Sequence, residues 1–457
     1  MQGLYLVRFW LVMLITISLT ILPTPASADL KPGSRLTKAN CQEAKDLLPE
    51  YVMEKFCNGQ YEADIIEIKD DAFQYSAKFK AGSEANAGKY YITDQGYMYE
   101  TATKSWPHFW YGYPFPDVTE NDPQAASKVM YNHQVARFQI DDVYWFLAIK
   151  WARPSGFDRS IELGAYAKWN IGRHSGPPTD NPDDCYLKDL SFGVAPYDVV
   201  GVSVMNWWHT DPDKWQSVWA FVPTIRRVRR LTASNSSEGL YGSTMSRDDV
   251  YGWGGKIQYM NWKLVGVKDI LVPIAPTGIE KAMLPGEAAP KKLPSDPSLI
   301  TNRGQIPVGQ VARVTWSPEE RIVAGYEKEG WTGAAFAPAN LKLAKRRCWI
   351  TEATPKDPYY AYGRRVVYID RTAYWAYWTT LYDRAGEYWK TILWEDKMAY
   401  TPGRDMTTRH PFFGSAEDVR QNMATFFDVA AKGYYTEYEL GFPNTTFTTA
   451  NLSAMGK

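Results

Sequence analysis

The sequence predicts a mainly β protein built on one large, curved, mostly antiparallel sheet with few helices, and three observations carry that expectation. Segments of about five to ten residues rich in aromatic and β-branched side chains recur along the chain, as strands require. Reverse-turn sequences such as Tyr382-Asp383-Arg384-Ala385-Gly386-Glu387 separate them. Convincing helical patterning is confined to a few short stretches.

Taken in order, residues 1–28 read as a secretory signal. Arg8 is their only charge, Phe9 to Leu22 is apolar or Ser/Thr, and Ala26-Ser27-Ala28 gives the small-x-small cleavage pattern. The apolar run spans only roughly 20 Å as a helix, short for a bilayer. Residues 29–62 form an N-terminal segment in which Cys41 and Cys57 flank a helical stretch, Gln42 to Phe56. The main β region is expected over 63–415. From Ala63 to Tyr99 the alternation in Ile65-Ile66-Glu67-Ile68 and Phe73-Gln74-Tyr75-Ser76-Ala77-Lys78-Phe79 predicts strands, and 121–137 predicts a helix that opens on Asn121-Asp122-Pro123. Further strands follow at Val143–Trp151, Val199–Trp208, Trp215–Pro223, Gln258–Val265, Arg364–Ile369, Ala373–Tyr382 and Tyr388–Trp394. Seven prolines between Pro273 and Pro307 mark an extended connection at about 271–310. The tail, 416–457, is expected to be helical, because Val419, Met423, Phe426, Phe427 and Val429 fall at helical spacing.

Composition narrows the function classes. With 51 basic and 51 acidic residues the chain lacks the basic excess of a nucleic-acid binder, and 15% aromatic content is too high for a disordered chain. Four cysteines in an exported protein favour two disulfides, 41–57 and 185–348 among the three possible pairings. No Cys-x-x-Cys pair supports a metal site. His108, His133, His174, His209 and His410 are isolated, and the sequence carries no nucleophile elbow, phosphate loop, dinucleotide fingerprint or His-Glu-x-x-His. No catalytic residue, metal or cofactor is therefore expected. Asp141-Asp142 and Asp248-Asp249 are adjacent acids, which point to opposite faces of a strand.

Two features stand out. Tyr374-Trp375-Ala376-Tyr377-Trp378 and Trp207-Trp208 put large rings on both strand faces, so both faces are covered by protein or one lines an apolar hollow. Arg226-Arg227-Val228-Arg229-Arg230 concentrates four guanidinium groups that need carboxylates, phosphates or water, with Asp248 and Asp249 as acidic partners in the chain.

These blocks carry a resemblance. Trp219-Ala220-Phe221-Val222-Pro223, the arginine run, Asp248-Asp249 and Tyr259-Met260-Asn261-Trp262-Lys263-Leu264-Val265-Gly266 occur in the order seen in domain-of-unknown-function family 1329. Gly112-Tyr113-Pro114-Phe115-Pro116, Asn132-His133, Arg347-Cys348-Trp349-Ile350-Thr351-Glu352-Ala353-Thr354 and Tyr382 to Lys390 agree with it, so the match runs from about Asp70 to Trp394. Cys348 departs from the pattern by replacing an apolar strand residue. The resemblance implies an open half-barrel wrapped around a few helices, similar to the envelope carriers LolA and LolB, which hold acyl chains in an apolar concavity. It also implies a periplasmic setting alongside transporters of the resistance-nodulation-division class. On that footing Trp207, Trp208, Trp375, Tyr377 and Trp378 are the cavity candidates, and Arg226, Arg227, Arg229 and Arg230 its basic rim. The expected function is a non-enzymatic carrier or chaperone for a lipid or an acylated protein, with membrane contact at most peripheral. The alternatives are an adaptor docked on an envelope transporter and, third, an envelope hydrolase.

Overall fold

The computed structural model describes residues 30–73, 75–137, 140–178, 180–231, 236–275, 280–281, 312–314, 321–401, 406–428 and 434–454. The expected signal segment and nearly all of the proline-rich connection lie outside the described residues. Two strands open the chain, β1 (Arg35–Leu36) and β2 (Ala63–Ile66), and β3 (Tyr90–Ile92) with β4 (Met98–Glu100) makes a separate hairpin. An antiparallel meander follows: β5 (Asp142–Arg153), β6 (Gly156–Trp169), β7 (Cys185–Ala195), β8 (Ser203–His209), β9 (Ser217–Val222) and β10 (Arg227–Leu231). The second half contains β11 (Met260–Pro273), short β12 (Glu280–Lys281) and β13 (Ala312–Val314), β14 (Leu341–Pro355), β15 (Arg364–Asp370), β16 (Ala376–Tyr382), β17 (Tyr388–Thr401), β18 (Met406–Asp418), β19 (Met423–Asp428) and β20 (Tyr435–Tyr438).

All but β3 and β4 join one mainly antiparallel sheet. Its parallel pairings are β2 with β14 and β12 with β17. The two halves meet at β5. One edge of β5 pairs with β6, while its other edge is shared by β19, along Ala148–Ala152, and β20, along Val143–Phe146. Among the described residues β10 pairs only with β9, so the sheet stays open there.

Among the described residues four α-helices accompany the sheet: α1 (Glu50–Cys57), α2 (Ala77–Glu84), α3 (Ala125–Ala136) and α4 (Thr449–Ala454). Helix α3 is buried nearly all round because it lies inside the curve of the sheet, where an ordinary amphipathic helix would expose a polar face. Two of its polar residues hold it there. Asn132 accepts from the Phe115 amide at 3.0 Å and donates to the Phe115 carbonyl at 2.8 Å, while His133 Nδ1 lies 2.8 Å from the Tyr374 carbonyl oxygen. Burial lowers the His133 pKa well below its ordinary value, so the ring is a neutral tether.

Several expectations need correction. In place of a strand near 73–79, Phe73 ends a 3-10 turn (Asp70–Phe73) and Ala77 begins α2, which Ser76 caps by accepting from the Phe79 amide at 3.2 Å. The tail is mainly strand where it is described: β18 runs to Asp418, β19 and β20 follow, and helix among the described residues of the tail is confined to a 3-10 turn at Asn444–Phe447 and to α4. Cys41 and Cys57 are bonded, but Cys185 and Cys348 are free buried thiols. Cys185 sits against His209, whereas Cys348 lies in β14 between Lys268 and Asp370 of its neighbours. No helix among the described residues is long and apolar enough to cross a membrane.

Glu395 on β17 is fully buried, and both of its carboxylate oxygens lack a hydrogen-bond partner among the described residues. Desolvation first, then the charge of Asp396, pushes its pKa up to about 8 from 4.5. The folded chain therefore holds a proton that the unfolded chain releases between these values, so the contribution of Glu395 to stability falls as pH rises from about 4.5 to 8. Replacing Glu395 with Gln is expected to raise the melting temperature at pH 8 and to change it little at pH 4. Equal shifts at both pH values would contradict this account.

Candidate functional site

Period-two alternation puts one face of β5, β6 and β7 toward the inside of the sheet, and that face lines an apolar cavity of about 150 Å³. β5 supplies Trp145, Leu147 and Ile149; β6 supplies Leu163, Ala165, Ala167 and Trp169; β7 supplies Leu187, Asp189 and Ser191. Across the hollow stand Trp394 on β17, Pro411, Phe413 and Gly414 on β18, and Phe427 on β19. Strands on both sides of the β5 seam thus converge on one space, which requires the sheet to curve. A covering segment adds Leu240, Tyr241, Arg247, Val250 and Tyr251, and Arg137 arrives from the end of α3.

Small residues make the room. Ala165 and Ala167 leave the middle of β6 low, and Gly414 lets the Trp394 ring lie against β18, since a Cβ there would stand 2.3 Å from that ring. The polar part of the wall is compact. Asp189 accepts from Asn206 Nδ2 and Trp208 Nε1, both at 2.7 Å, and from Arg247 at 3.2 Å. Arg247 also lies over the Trp208 ring, 5.1 Å from its centroid. Arg137 donates to the Trp253 carbonyl, and burial lowers its pKa to about 10, so it remains a cation at neutral pH. An apolar hollow with one balanced ion pair and a second guanidinium can hold an apolar body that carries a polar or anionic end.

None of the five aromatic residues singled out in the sequence lines this cavity. Trp208, Trp375, Tyr377 and Trp378 are core, and half-buried Trp207 packs edge-on against Trp219 at 5.0 Å and donates to the Phe447 carbonyl at 3.0 Å. Trp375 donates to Tyr75 Oη at 2.7 Å and Trp378 to the Leu271 carbonyl at 2.9 Å, so both indoles are satisfied within the fold. Trp208 touches the site indirectly, through Asp189.

The arginine run forms the turn and second strand of the β9–β10 hairpin. Arg226 occupies the turn with φ of 53°, Arg227 and Arg229 share one face of β10, and Arg230 lies on the other, donating to Ser217 Oγ at 3.3 Å. Asp248 and Asp249 are not their partners. Asp249 pairs with Arg365 at 2.7 Å, and Asp248 accepts from Tyr360 at 2.7 Å and Ser236 at 2.8 Å. Among the described residues no carboxylate pairs with any of the four arginines, and no group of His, Cys, Asp and Glu has the makings of a metal site. Asp141 and Asp142 are structural: Asp141 bonds Arg173, and Asp142 accepts from the amides of Leu440 and Phe442.

The fold and the cavity define a class: an open, curved β-sheet with an apolar hollow on its inner face. The chain belongs to the family described as protein of unknown function DUF1329, whose profile matches residues 35–453. Among solved structures it resembles a domain provisionally assigned as an outer membrane lipoprotein-sorting protein from Vibrio parahaemolyticus, at 13% identity and TM-score 0.45, with 71% of this chain and 97% of that one covered. It also resembles a DUF1329 family protein from Desulfovibrio piger, at 14% identity and TM-score 0.43 over 71% and 98% of the two chains. A LolA superfamily protein from Nitrosomonas europaea is similar at 12% identity and TM-score 0.39 over 71% and 97%. No curated protein matches the chain.

Proposed function

We propose that the protein is a non-enzymatic carrier or chaperone for a hydrophobic ligand, a lipid or a lipid-modified protein, in the periplasm of a Gram-negative envelope. The observation that supports this reading is the apolar cavity on the inner face of β5–β7, with Asp189, Arg247 and Arg137 in its wall. Each methylene buried there contributes about 0.8 kcal/mol. A dry cavity of about 150 Å³ accepts a body the size of benzene, so this hollow takes the end of an acyl chain, and the remainder lies along the inner face or displaces the 240–251 segment. Mass spectrometry of the gently purified protein, native and after organic extraction, tests the reading. A stoichiometric lipid supports it; clean protein that also takes up no fluorescent acyl probe sinks it.

A second observation bears on where the carrier works. Because β5 to β10 run as a meander, the β5–β6, β7–β8 and β9–β10 turns share one end of the sheet, and they expose Phe157, Tyr197, Val200 and Ile225 beside Arg226 and Arg227. Apolar tips among unpaired arginines suit peripheral contact with an anionic membrane, at roughly 1 kcal/mol per arginine near the surface. Replacing Arg226, Arg227 and Arg229 together with Gln is expected to weaken binding to phosphatidylglycerol-containing vesicles at least about tenfold at low salt, and less at high salt. Unchanged vesicle sedimentation in a folded variant would move these tips to the adaptor reading, docking on an envelope transporter.

A further inference from the structure

A second cleft, of about 1000 Å³, lies at the other end of β8 and β9, away from the apolar cavity and its lining. Five segments build it: the β8–β9 loop with Asp213, Lys214 and Trp215; β10 with Arg230; Tyr259 just before β11; Lys356 and Asp357 just after β14; and Tyr97 from the β3–β4 turn. Trp215 is 46% exposed in this cleft, which it shares with charged side chains and the exposed Leu231. Its ring stacks on Tyr259 with centroids 4.1 Å apart and planes at 29°, so one face is backed and the other is open.

The loop that carries Trp215 is fixed before any ligand arrives. Buried Lys256 donates to the carbonyls of Asp211 and Lys214 at 2.7 and 2.8 Å, and Tyr97 donates to Asp213. Tyr259 donates to Gln216 at 3.3 Å, and beneath them Ser217 is held between His209 Nε2 at 3.0 Å and Arg230 at 3.3 Å. An exposed indole on a rigid loop keeps its apolar face in water without an entropic gain, an arrangement expected of a binding platform.

We propose that this cleft binds an acidic oligosaccharide, with a pyranose ring lying on the open face of Trp215 and its carboxylate met by Arg230, Lys214 and Lys356. The ring face of a sugar presents polarised C–H bonds, which complement the negative face of an indole. Its hydroxyls both donate and accept, and the rim offers cations as donors and Asp213 and Asp357 as acceptors. Three cations stand against two carboxylates, a surplus of one positive charge; Asp213 accepts from Tyr97 and Asp357 from the Tyr359 amide at 2.8 Å, while Lys356 donates to the Gln95 carbonyl at 2.6 Å and Arg230 to Ser217 Oγ at 3.3 Å. The balance selects an anion. A concave space of this size fits a chain of sugar rings better than the flat surface of a protein partner.

The experiment is calorimetric titration of the purified protein with trigalacturonate, maltotriose and adenosine monophosphate in low salt. Trigalacturonate is expected to bind, and to bind roughly tenfold more tightly than maltotriose. Trp215→Ala is expected to lower that affinity at least about tenfold, and Arg230→Gln to remove most of the preference for the acid, while acyl-probe binding at the other cavity stays unchanged in both. The proposal falls if neither sugar binds the folded chain, if adenosine monophosphate binds more tightly than trigalacturonate, or if Trp215→Ala binds as the parent does. Loss of lipid binding elsewhere leaves it standing, since the two sites share no lining residue.

Discussion

Replacing Asp249 with Ala is expected to destabilise the fold by about 3–5 kcal/mol, read as a drop in the urea midpoint at unchanged slope. Asp249 is fully buried and accepts from Arg365 at 2.7 Å, Tyr362 at 3.0 Å and the Ser246 amide at 2.9 Å. Arg365, equally buried, has a second hydrogen bond to the Gly252 carbonyl at 2.6 Å, which fixes it in place. Removal of the carboxylate leaves that guanidinium in a low-dielectric interior without its salt-bridge partner. The double replacement Asp249→Ala with Arg365→Met should cost much less than the sum of the single changes, because the stranded charge is gone. Additive losses would mean that the pair is not what ties the segment down. The same segment supplies Arg247, Val250 and Tyr251 to the cavity wall, so the single variant should also bind an acyl probe less well at temperatures where it remains folded.

Replacing Ala165 with Trp is expected to abolish acyl-probe binding, with a loss of at least about a hundredfold, while the protein stays folded. Ala165 is partly open to the hollow in the middle of β6, and an indole there would occupy most of a 150 Å³ space. Overpacking costs about 1–3 kcal/mol in a filled core and less where space already exists. Four or more methylenes excluded at about 0.8 kcal/mol each account for the size of the effect. Parent-like probe binding by the folded variant would place the ligand elsewhere and remove the support for the carrier reading.

The strands that the sequence made legible are those in which alternation and turn chemistry agree, such as β5, β15 and the β16–β17 hairpin. The stretch from Met423 to Phe427 looked helical because β19 is a central strand, paired with β18 and β5 and buried on both faces, so its apolar residues run together without a period of two. For the same reason paired rings at Trp375, Tyr377 and Trp378 mark a strand covered on both sides rather than a wall of a hollow. The cavity itself was hidden because small residues create it. Ala165, Ala167 and Gly414 matter through the atoms they lack, and only the curve of the sheet brings them together. A signal was nevertheless present in Leu163-x-Ala165-x-Ala167-x-Trp169, where one strand face carries bulk at its ends and none in its middle. The 41–57 disulfide was legible because its cysteines flank one short segment, whereas the expected 185–348 pair failed because it depends on which strands become neighbours. Blocks such as Asn132-His133 and Asp248-Asp249 are explained by their hydrogen bonds: they hold α3 and the 246–252 segment in place.

The seam at β5 sets an order of events. Lys150 of β5 reaches Asp428 of β19, 278 residues later in the chain, so one edge of a long apolar strand has no partner until nearly the whole polypeptide is available. Closing so large a loop is slow compared with forming the β5–β10 meander, which needs only neighbouring segments. Until then β5 presents a row of free amides and carbonyls that another chain can pair with. A chain ending before Met423 would keep that edge open permanently, and self-association rather than loss of a ligand would be its first defect.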